Sequence, residues 1–242
     1  MMEYPDYIEA LRRDGRALSD AARRAGVDAP VPSCPEWTVA DLLQHVGLLH
    51  RWVTDLVANQ PDDPMRAWAQ EVPSGAARFD WFDAGVEPLA NALAAASPAQ
   101  HAWSWTADQT AGFWARRQAN ELAVHRYDGQ LAAGTPAPIE RTHAVDGIDE
   151  FFDLIPAWRG ISEVHGNGET LHFHCTDGDG EWLARLGDGA VVVTREHAKG
   201  DVAARGSASN LLLFLYGRVA PEDLEVFGDA SLLVRWRELV SW

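Results

Sequence analysis

The chain has 242 residues, and its 36 acidic and 20 basic side chains give a formal net charge of −16. With 47% hydrophobic and 23% charged residues, the composition is that of a folded protein and not of a disordered one. The acidic excess argues against nucleic acid and anionic membrane surfaces as partners. The N-terminal sequence is unlike a signal peptide, and no apolar run reaches the roughly 18 residues of a membrane span. We therefore expect a cytoplasmic protein whose two distant cysteines, Cys34 and Cys175, stay reduced.

The first half of the sequence predicts four helices. Apolar residues recur there at helical spacing, and Thr38 followed by Asp41 resembles a capping box at the start of the second helix. The predicted helices cover residues 5–25, 38–58, 83–97 and 111–131. Helices of this number and length favour an antiparallel four-helix bundle.

Residues 132–138 separate these helices from the rest of the sequence. The segment consists of small residues and two prolines without periodicity, which is typical of a linker. We therefore expect an N-terminal domain at 1–138 and a C-terminal domain at 139–242.

The C-terminal domain is predicted to combine helices with a sheet. A helix is expected near 142–158, after which apolar and polar residues alternate, as around Leu171, Phe173 and Cys175. Further strands are predicted at WLARL, AVVVTRE, DVAARG and LEVFGD, and further helices at SASNLLLFLYGR and ASLLVRWRELV. This order of elements favours an α+β fold with an antiparallel sheet.

Three side chains could form a metal site inside the bundle. Glu121 and His125 lie four residues apart and project from one face of the fourth helix, while His45 interrupts an apolar stripe on the second. Packing these faces together would bury two imidazoles and one carboxylate, and a divalent metal would compensate the buried charge. Two alternatives stay open: a lone histidine on an apolar stripe is usually a core residue, and Glu121 could pair with an arginine.

The segments around these residues resemble a known family. SCPEWTVADLLQHVGLLHRW at 33–52 and NELAVHRYDGQLAAGTPAPI at 120–139 are similar to the N-terminal domain of the mycothiol-dependent maleylpyruvate isomerase family, a DinB-like four-helix bundle. The family's C-terminal domain, an α+β fold similar to sterol-carrier proteins, resembles DGIDEF at 146–151, LHFHCTDGDGEW at 171–182, GSASNLLLFLYGR at 206–218 and VFGDASLL at 226–233. The resemblance therefore covers nearly the whole chain.

The resemblance implies metal ligands at His45, Glu121 and His125, which match the family's W-T-x-x-x-L-x-x-H and E-x-x-x-H-R-x-D segments. It also implies zinc or another divalent metal, mycothiol as cosubstrate, and a small electrophilic substrate. The family's C-terminal domain supplies an arginine needed for activity, and the motif places it at Arg218. Arg218 could hold a substrate carboxylate, although an arginine that ends a helix often interacts only with the helix dipole.

Other functions and sites stay open. A mycothiol S-transferase fits the motifs at least as well as an isomerase, and the alternatives of another class are a non-catalytic metal- or ligand-binding stress protein and a metal-water hydrolase. A monomer or a homodimer is expected. Arg126 is expected either to support the neighbouring ligand His125 or to form an inter-helix salt bridge, with Asp128 as a candidate partner. His172 and His174 could chelate a second metal, but such a pair is more often the exposed face of an edge hairpin.

Overall fold

The computed structural model divides the chain into two compact units. The helical unit comprises Met2–Ala137, and the sheet unit begins at Pro138. The residues that the structure describes are 2–65, 68, 70–157, 161–162 and 164–239. No helix within these ranges has both the length and the apolar character that crossing a bilayer requires.

Among its described residues, the helical unit forms a bundle of four helices, as predicted. They are α1 (Tyr4–Ala25), α2 (Val39–Asn59), α3 (Ala77–Ala95) and α4 (Ala111–Ala132). Both α1 and α2 pack against α3 and against α4, so α1 and α2 lie at opposite corners of the bundle. This arrangement places α2 beside α4, the two helices that carry the candidate metal ligands.

The start of α3 differs from the prediction, because the helix begins at Ala77 and not near residue 83. The sequence before residue 80 is polar and interrupted by glycine and proline, which conceals the first turn. Arg78 stabilises that turn through tertiary contacts: its guanidinium donates to the carbonyls of Pro73 and Ala40, each at 2.9 Å. Helical spacing alone does not report such contacts.

The start of α2 is fixed by the predicted capping box, which the structure confirms. Thr38 Oγ1 accepts a hydrogen bond from the Asp41 backbone nitrogen at 3.3 Å, and Asp41 Oδ2 accepts one from the Thr38 nitrogen at 2.8 Å. His45 follows Thr38 by seven residues, about two helical turns. The cap therefore also fixes the direction in which His45 projects from α2.

Within the described ranges, the sheet unit combines three helices with five strands, which confirms the α+β prediction. The helices are α5 (Arg141–Leu154), α6 (Ala208–Leu215) and α7 (Ser231–Leu239). The strands are β1 (Thr170–Cys175), β2 (Glu181–Leu186), β3 (Val191–Thr194), β4 (Val202–Gly206) and β5 (Glu225–Gly228), in the spatial order β3-β2-β1-β4-β5. Phe173 on β1 packs against one aromatic ring from each helix, at centroid distances of 5.8, 6.3 and 5.9 Å. The helices thus cover the face of the sheet that carries Phe173.

The sheet is mixed, which corrects the expectation of an antiparallel one. The pairs β1–β2, β2–β3 and β4–β5 are antiparallel, but β1 and β4 run parallel. Alternating apolar residues report which face of a strand is buried and carry no information about the direction of its neighbour. Because β1 lies in the middle of the sheet, His172 and His174 do not belong to an edge hairpin, which corrects that interpretation as well.

Candidate metal centre

Side chains from two helices converge inside the helical unit. Glu121 Oε1 lies 3.1 Å from Nε2 of His45 and 3.1 Å from Nε2 of His125. The three potential ligand atoms all lie within 4.8 Å of one another. The two imidazole rings meet edge to face, with their centroids 5.0 Å apart. The structure thus brings together the three residues that the sequence singles out, which we call the bundle centre.

Helix geometry explains how the bundle centre forms and where it opens. Glu121 and His125 lie one turn apart on α4 and share a face, and His45 meets them from α2, which packs against α4. The side chain of His45 is 32% exposed, whereas that of His125 is only 7% exposed. The centre is therefore closed beside His125 and accessible beside His45.

Asp128 orients the ring of His125. Its Oδ2 lies 2.8 Å from His125 Nδ1, and its Oδ1 accepts a hydrogen bond from Ser33 Oγ at 2.6 Å. A carboxylate on Nδ1 keeps the proton on that nitrogen and directs Nε2 into the centre. Arg126 Nε lies 3.6 Å from Asp14 on α1 and so forms the expected inter-helix salt bridge. The expected pairing of Arg126 with Asp128 stays a prediction.

Arg117 holds the second oxygen of Glu121. Its guanidinium is buried and donates to Glu121 Oε2 at 2.9 Å from one turn earlier on α4. Burial alone would raise the pKa of Glu121, but hydrogen bonds from His125 and His45 and the charge of Arg117 hold it well below its usual range. Glu121 is therefore an anion at neutral pH, and its pairing with an arginine coexists with its position at the bundle centre.

Two carboxylates, those of Asp128 and Glu121, contact the imidazole of His125. Burial lowers its pKa, but the hydrogen bonds with Asp128 and Glu121 outweigh burial and raise the pKa to about 9. A metal ion would compete with a proton for Nε2, because a ligating imidazole must be neutral there.

Trp37 covers both imidazoles. The centroid of its ring lies 5.1 Å from that of His45 and 6.0 Å from that of His125, on which it stacks. Trp37 directly precedes the cap residue Thr38, so the same local structure that starts α2 also positions this indole. The indole therefore packs against both of the imidazoles that carry potential ligand nitrogens.

The donor set fits the divalent metal that the family resemblance implies. Two imidazole nitrogens and one carboxylate are a ligand set that zinc uses in catalytic sites, where exogenous ligands complete the coordination. Ligating histidines usually donate their second nitrogen to a carboxylate or carbonyl, and Asp128 provides that partner for His125. The chemistry of the residues present therefore suits a zinc-like ion.

Arg218 lies in the sheet unit, directly after the last turn of α6. Its Nη1 donates to the carbonyl of Tyr216 at 2.6 Å. This hydrogen bond is typical of an arginine at a helix C-terminus, which is the alternative that the sequence left open. A role of Arg218 toward a substrate stays a prediction.

Sequence reasoning missed the contributions of Arg117 and Trp37 and assigned Asp128 to another partner. Spacing could have indicated two of the three, because Arg117 stands four residues before Glu121 and Asp128 three residues after His125. Trp37 lies outside α2, and its approach to the histidines depends on how the preceding loop folds.

Comparison with known proteins finds relatives along most of the chain. Residues 8–130 match the family model of the mycothiol maleylpyruvate isomerase N-terminal domain, and residues 142–235 match that of the MDMPI C-terminal domain. Two crystal structures of a mycothiol-dependent maleylpyruvate isomerase, one of a histidine-to-alanine mutant, share the fold at 14% sequence identity. The mutant has a TM-score of 0.66 and the other structure 0.65, and each match covers 93% of both chains. No curated protein matches this chain.

Proposed function

The chain belongs to the mycothiol-dependent maleylpyruvate isomerase family, and from this premise we propose that it is a metal-dependent enzyme that uses mycothiol on a small electrophile. One observation carries the proposal: His45, Glu121 and His125 direct three potential ligand atoms at one point in the unit that matches the family's N-terminal domain. The reaction we favour is cis–trans isomerisation of a conjugated substrate, with S-transfer as the variant that the same residues would serve.

Each residue of the bundle centre has a distinct part in this proposal. His45, Glu121 and His125 hold a divalent ion such as zinc, which when bound supplies a Lewis acid that lowers the pKa of a thiol. Asp128 keeps the proton of His125 on Nδ1, so that Nε2 faces the centre. Arg117 fixes Glu121 through its second oxygen. The exposed side of His45 leaves room for thiol and substrate to enter.

The proposed isomerisation consumes neither thiol nor proton. The mycothiol thiolate adds to one carbon of a conjugated cis double bond, and the displaced electron pair moves onto the conjugated carbonyl group. The former double bond is then single and rotates, after which the electron pair returns and expels the thiolate to leave the trans product. In an S-transferase, the adduct would instead take up a proton and keep the thiol. Maleylpyruvate is one candidate among such conjugated acids.

We also propose that Arg218 binds a carboxylate of the substrate, on the strength of the resemblance at 206–218. A planar guanidinium binds a carboxylate through two parallel hydrogen bonds, which lysine cannot reproduce. Arg218→Lys should therefore raise KM, Arg218→Ala should raise it further, and neither should weaken mycothiol binding.

The experiment that tests the proposal is a calorimetric titration of mycothiol into the zinc-loaded full-length protein. We expect binding to the wild type, and none to the zinc-free protein or to His45→Ala. The matched control is His101→Ala, because His101 is an exposed histidine of the helical unit outside the bundle centre. This control should bind mycothiol as the wild type does.

The outcomes separate the competing functions. Mycothiol binding that needs neither zinc nor His45 would contradict the proposed role of the centre. Absence of mycothiol binding together with thiol-independent hydrolysis of a substrate would favour a metal-water hydrolase, and absence of both would favour a non-catalytic binding protein. If mycothiol binds, its consumption during turnover identifies an S-transferase, whereas turnover with catalytic amounts of thiol identifies an isomerase.

A further inference from the structure

A second group of metal-binding side chains lies in the sheet unit. It consists of His172, His174, Glu181 and His197, which we call the sheet cluster. Glu181 Oε2 lies 3.0 Å from His172 Nε2 and 2.6 Å from His197 Nδ1, while its Oε1 lies 3.2 Å from His174 Nδ1. One potential ligand atom from each residue lies within 4.8 Å of all the others.

Strand register places three of the four residues of the sheet cluster on one face of the sheet. His172 and His174 stand two residues apart on β1 and therefore share a face of the sheet. Glu181 is the direct cross-strand partner of His174 in the β1–β2 pair, so its side chain projects on that same face. Phe173 projects on the opposite face, where it contacts one aromatic ring from each of the three helices.

His197, which follows β3, completes the cluster from the side. The ring centroids of the three histidines lie 5.8, 5.9 and 6.2 Å apart in pairs, so the rings surround the Glu181 carboxylate. The side chain of His172 is 7% exposed, those of His174 and Glu181 are each 25% exposed, and that of His197 is 82% exposed. The cluster is thus closed at its base and open at His197, which gives an ion a path of entry.

The sheet cluster places the single carboxylate of Glu181 against three imidazole rings, a combination of donor groups that suits a cation. Arg205 on β4 stands in register with His174. Its guanidinium does not compete with a metal ion for Glu181, because it lies 3.5 Å from Glu225 on β5.

We propose that His172, His174, Glu181 and His197 form a second metal site that takes a first-row transition-metal ion such as zinc or cobalt. Three imidazole nitrogens and one carboxylate oxygen provide the four donors that zinc prefers, whereas magnesium and calcium prefer oxygen ligands. The site shares no residue with the bundle centre, so it does not depend on the proposed function of that centre.

The test counts zinc ions in the full-length protein. The chain is stripped of metal with a chelator and equilibrated with Zn²⁺, and the zinc that stays bound after separation from free ion is counted by mass spectrometry. A competition titration with a chromophoric chelator then gives the affinity of each variant for that zinc. His45→Ala serves as the background, because it removes a ligand from the bundle centre. In this background, Glu181→Gln and His197→Ala are compared with His165→Ala. His165 is the matched control, since it is an exposed histidine of the sheet unit that pairs with Asp188, at 2.8 Å, outside the cluster.

We expect one tightly bound zinc per chain in the background protein and in His165→Ala. In Glu181→Gln and in His197→Ala, the affinity for that zinc should fall at least about tenfold, since even the loss of an outer partner of a ligand costs that much. His197 is exposed, so its removal should leave the fold intact, which circular dichroism checks. Co²⁺ provides a second readout, because the visible absorption of a four-coordinate ion should disappear in the same two variants. Equal zinc affinity in all variants, or no tight zinc in the background protein, would overturn the proposal.

Discussion

The bundle centre and the sheet cluster present similar donor atoms in very different surroundings. In the bundle, each imidazole contributes one nitrogen to the centre. Asp128 holds the other nitrogen of His125, and Arg117 holds the other oxygen of Glu121. In the sheet, three imidazoles share the one carboxylate of Glu181 directly. The environments consequently shift histidine pKa values in opposite directions: the pKa of His125 is raised to about 9, and that of His172 is lowered.

This difference shows how secondary structure decides the kind of site. An α-helix offers neighbours at one-turn intervals, so a ligand and the groups that orient it can come from one helix, as Arg117, Glu121, His125 and Asp128 do on α4. A strand offers alternate residues and their cross-strand partners, which places ligands side by side on one face. The bundle centre is therefore the more rigidly arranged of the two, and the sheet cluster is the more open.

The largest expected difference concerns the two carboxylates in the metal-free protein. Glu121→Ala leaves the buried Arg117 without its Glu121 partner, and we expect a loss of about 3 kcal/mol in the free energy of unfolding. Glu181→Ala removes a carboxylate from the partly exposed His174, from the exposed His197 and from His172, whose pKa is lowered by burial, so no buried charge loses its partner. The change should cost about 1 kcal/mol or less. Urea denaturation with a chelator present measures both. Equal losses would contradict the view that only the bundle centre is held by buried charge.

The second prediction concerns Asp128, which contacts a potential metal ligand of the bundle centre. Asp128→Asn removes the carboxylate that accepts from His125 Nδ1, and we expect zinc affinity at the bundle centre to fall about 10- to 100-fold. Zinc at the sheet cluster should be unaffected, so a competition titration with a chromophoric chelator should show one weakened site and one unchanged site. Unchanged affinity at both sites would mean that Asp128 does not support a metal ligand.

The third prediction uses His50, a histidine on α2 that belongs to neither site. It is fully buried against Phe82, at a ring centroid distance of 5.7 Å, and neither ring nitrogen has a hydrogen-bond partner among the described residues. Burial lowers its pKa from 6.5 to about 3. The folded protein thus keeps His50 neutral while the unfolded chain binds a proton below pH 6.5. The stability that His50 contributes is therefore lost as the pH falls from 6.5 toward 3, by about 1.4 kcal/mol per pH unit.

The measurement is the free energy of unfolding at pH 7 and at pH 5. Between these values, the wild type should lose about 2 kcal/mol more than His50→Leu, which cannot bind the proton. His101→Leu, a replacement of an exposed histidine in the same unit, should follow the wild type. If His50→Leu and the wild type lost the same amount, buried neutral His50 would not be a source of acid sensitivity.

Local patterns made the bundle centre predictable in outline. The Thr38–Asp41 cap and the four-residue spacing of Glu121 and His125 depend only on nearby residues, so both could be recognised in the sequence. Two of the four residues of the sheet cluster could be recognised in the sequence, because the spacing of His172 and His174 places them on one face of a strand. Its other two members come from β2 and from beyond β3, and spacing along one strand cannot indicate them.

The sequence by itself determined the helical and α+β units, the family, and which faces of α2 and α4 carry polar side chains, because these follow from periodicity, capping and motif order. The tertiary structure decided the parallel pairing of β1 with β4, the partner of Asp128, and the approach of Trp37 and His197 to their histidines. The physical reason is range: periodicity and caps are set within a few residues of chain, whereas strand direction and side-chain partners depend on segments that meet only in the folded molecule.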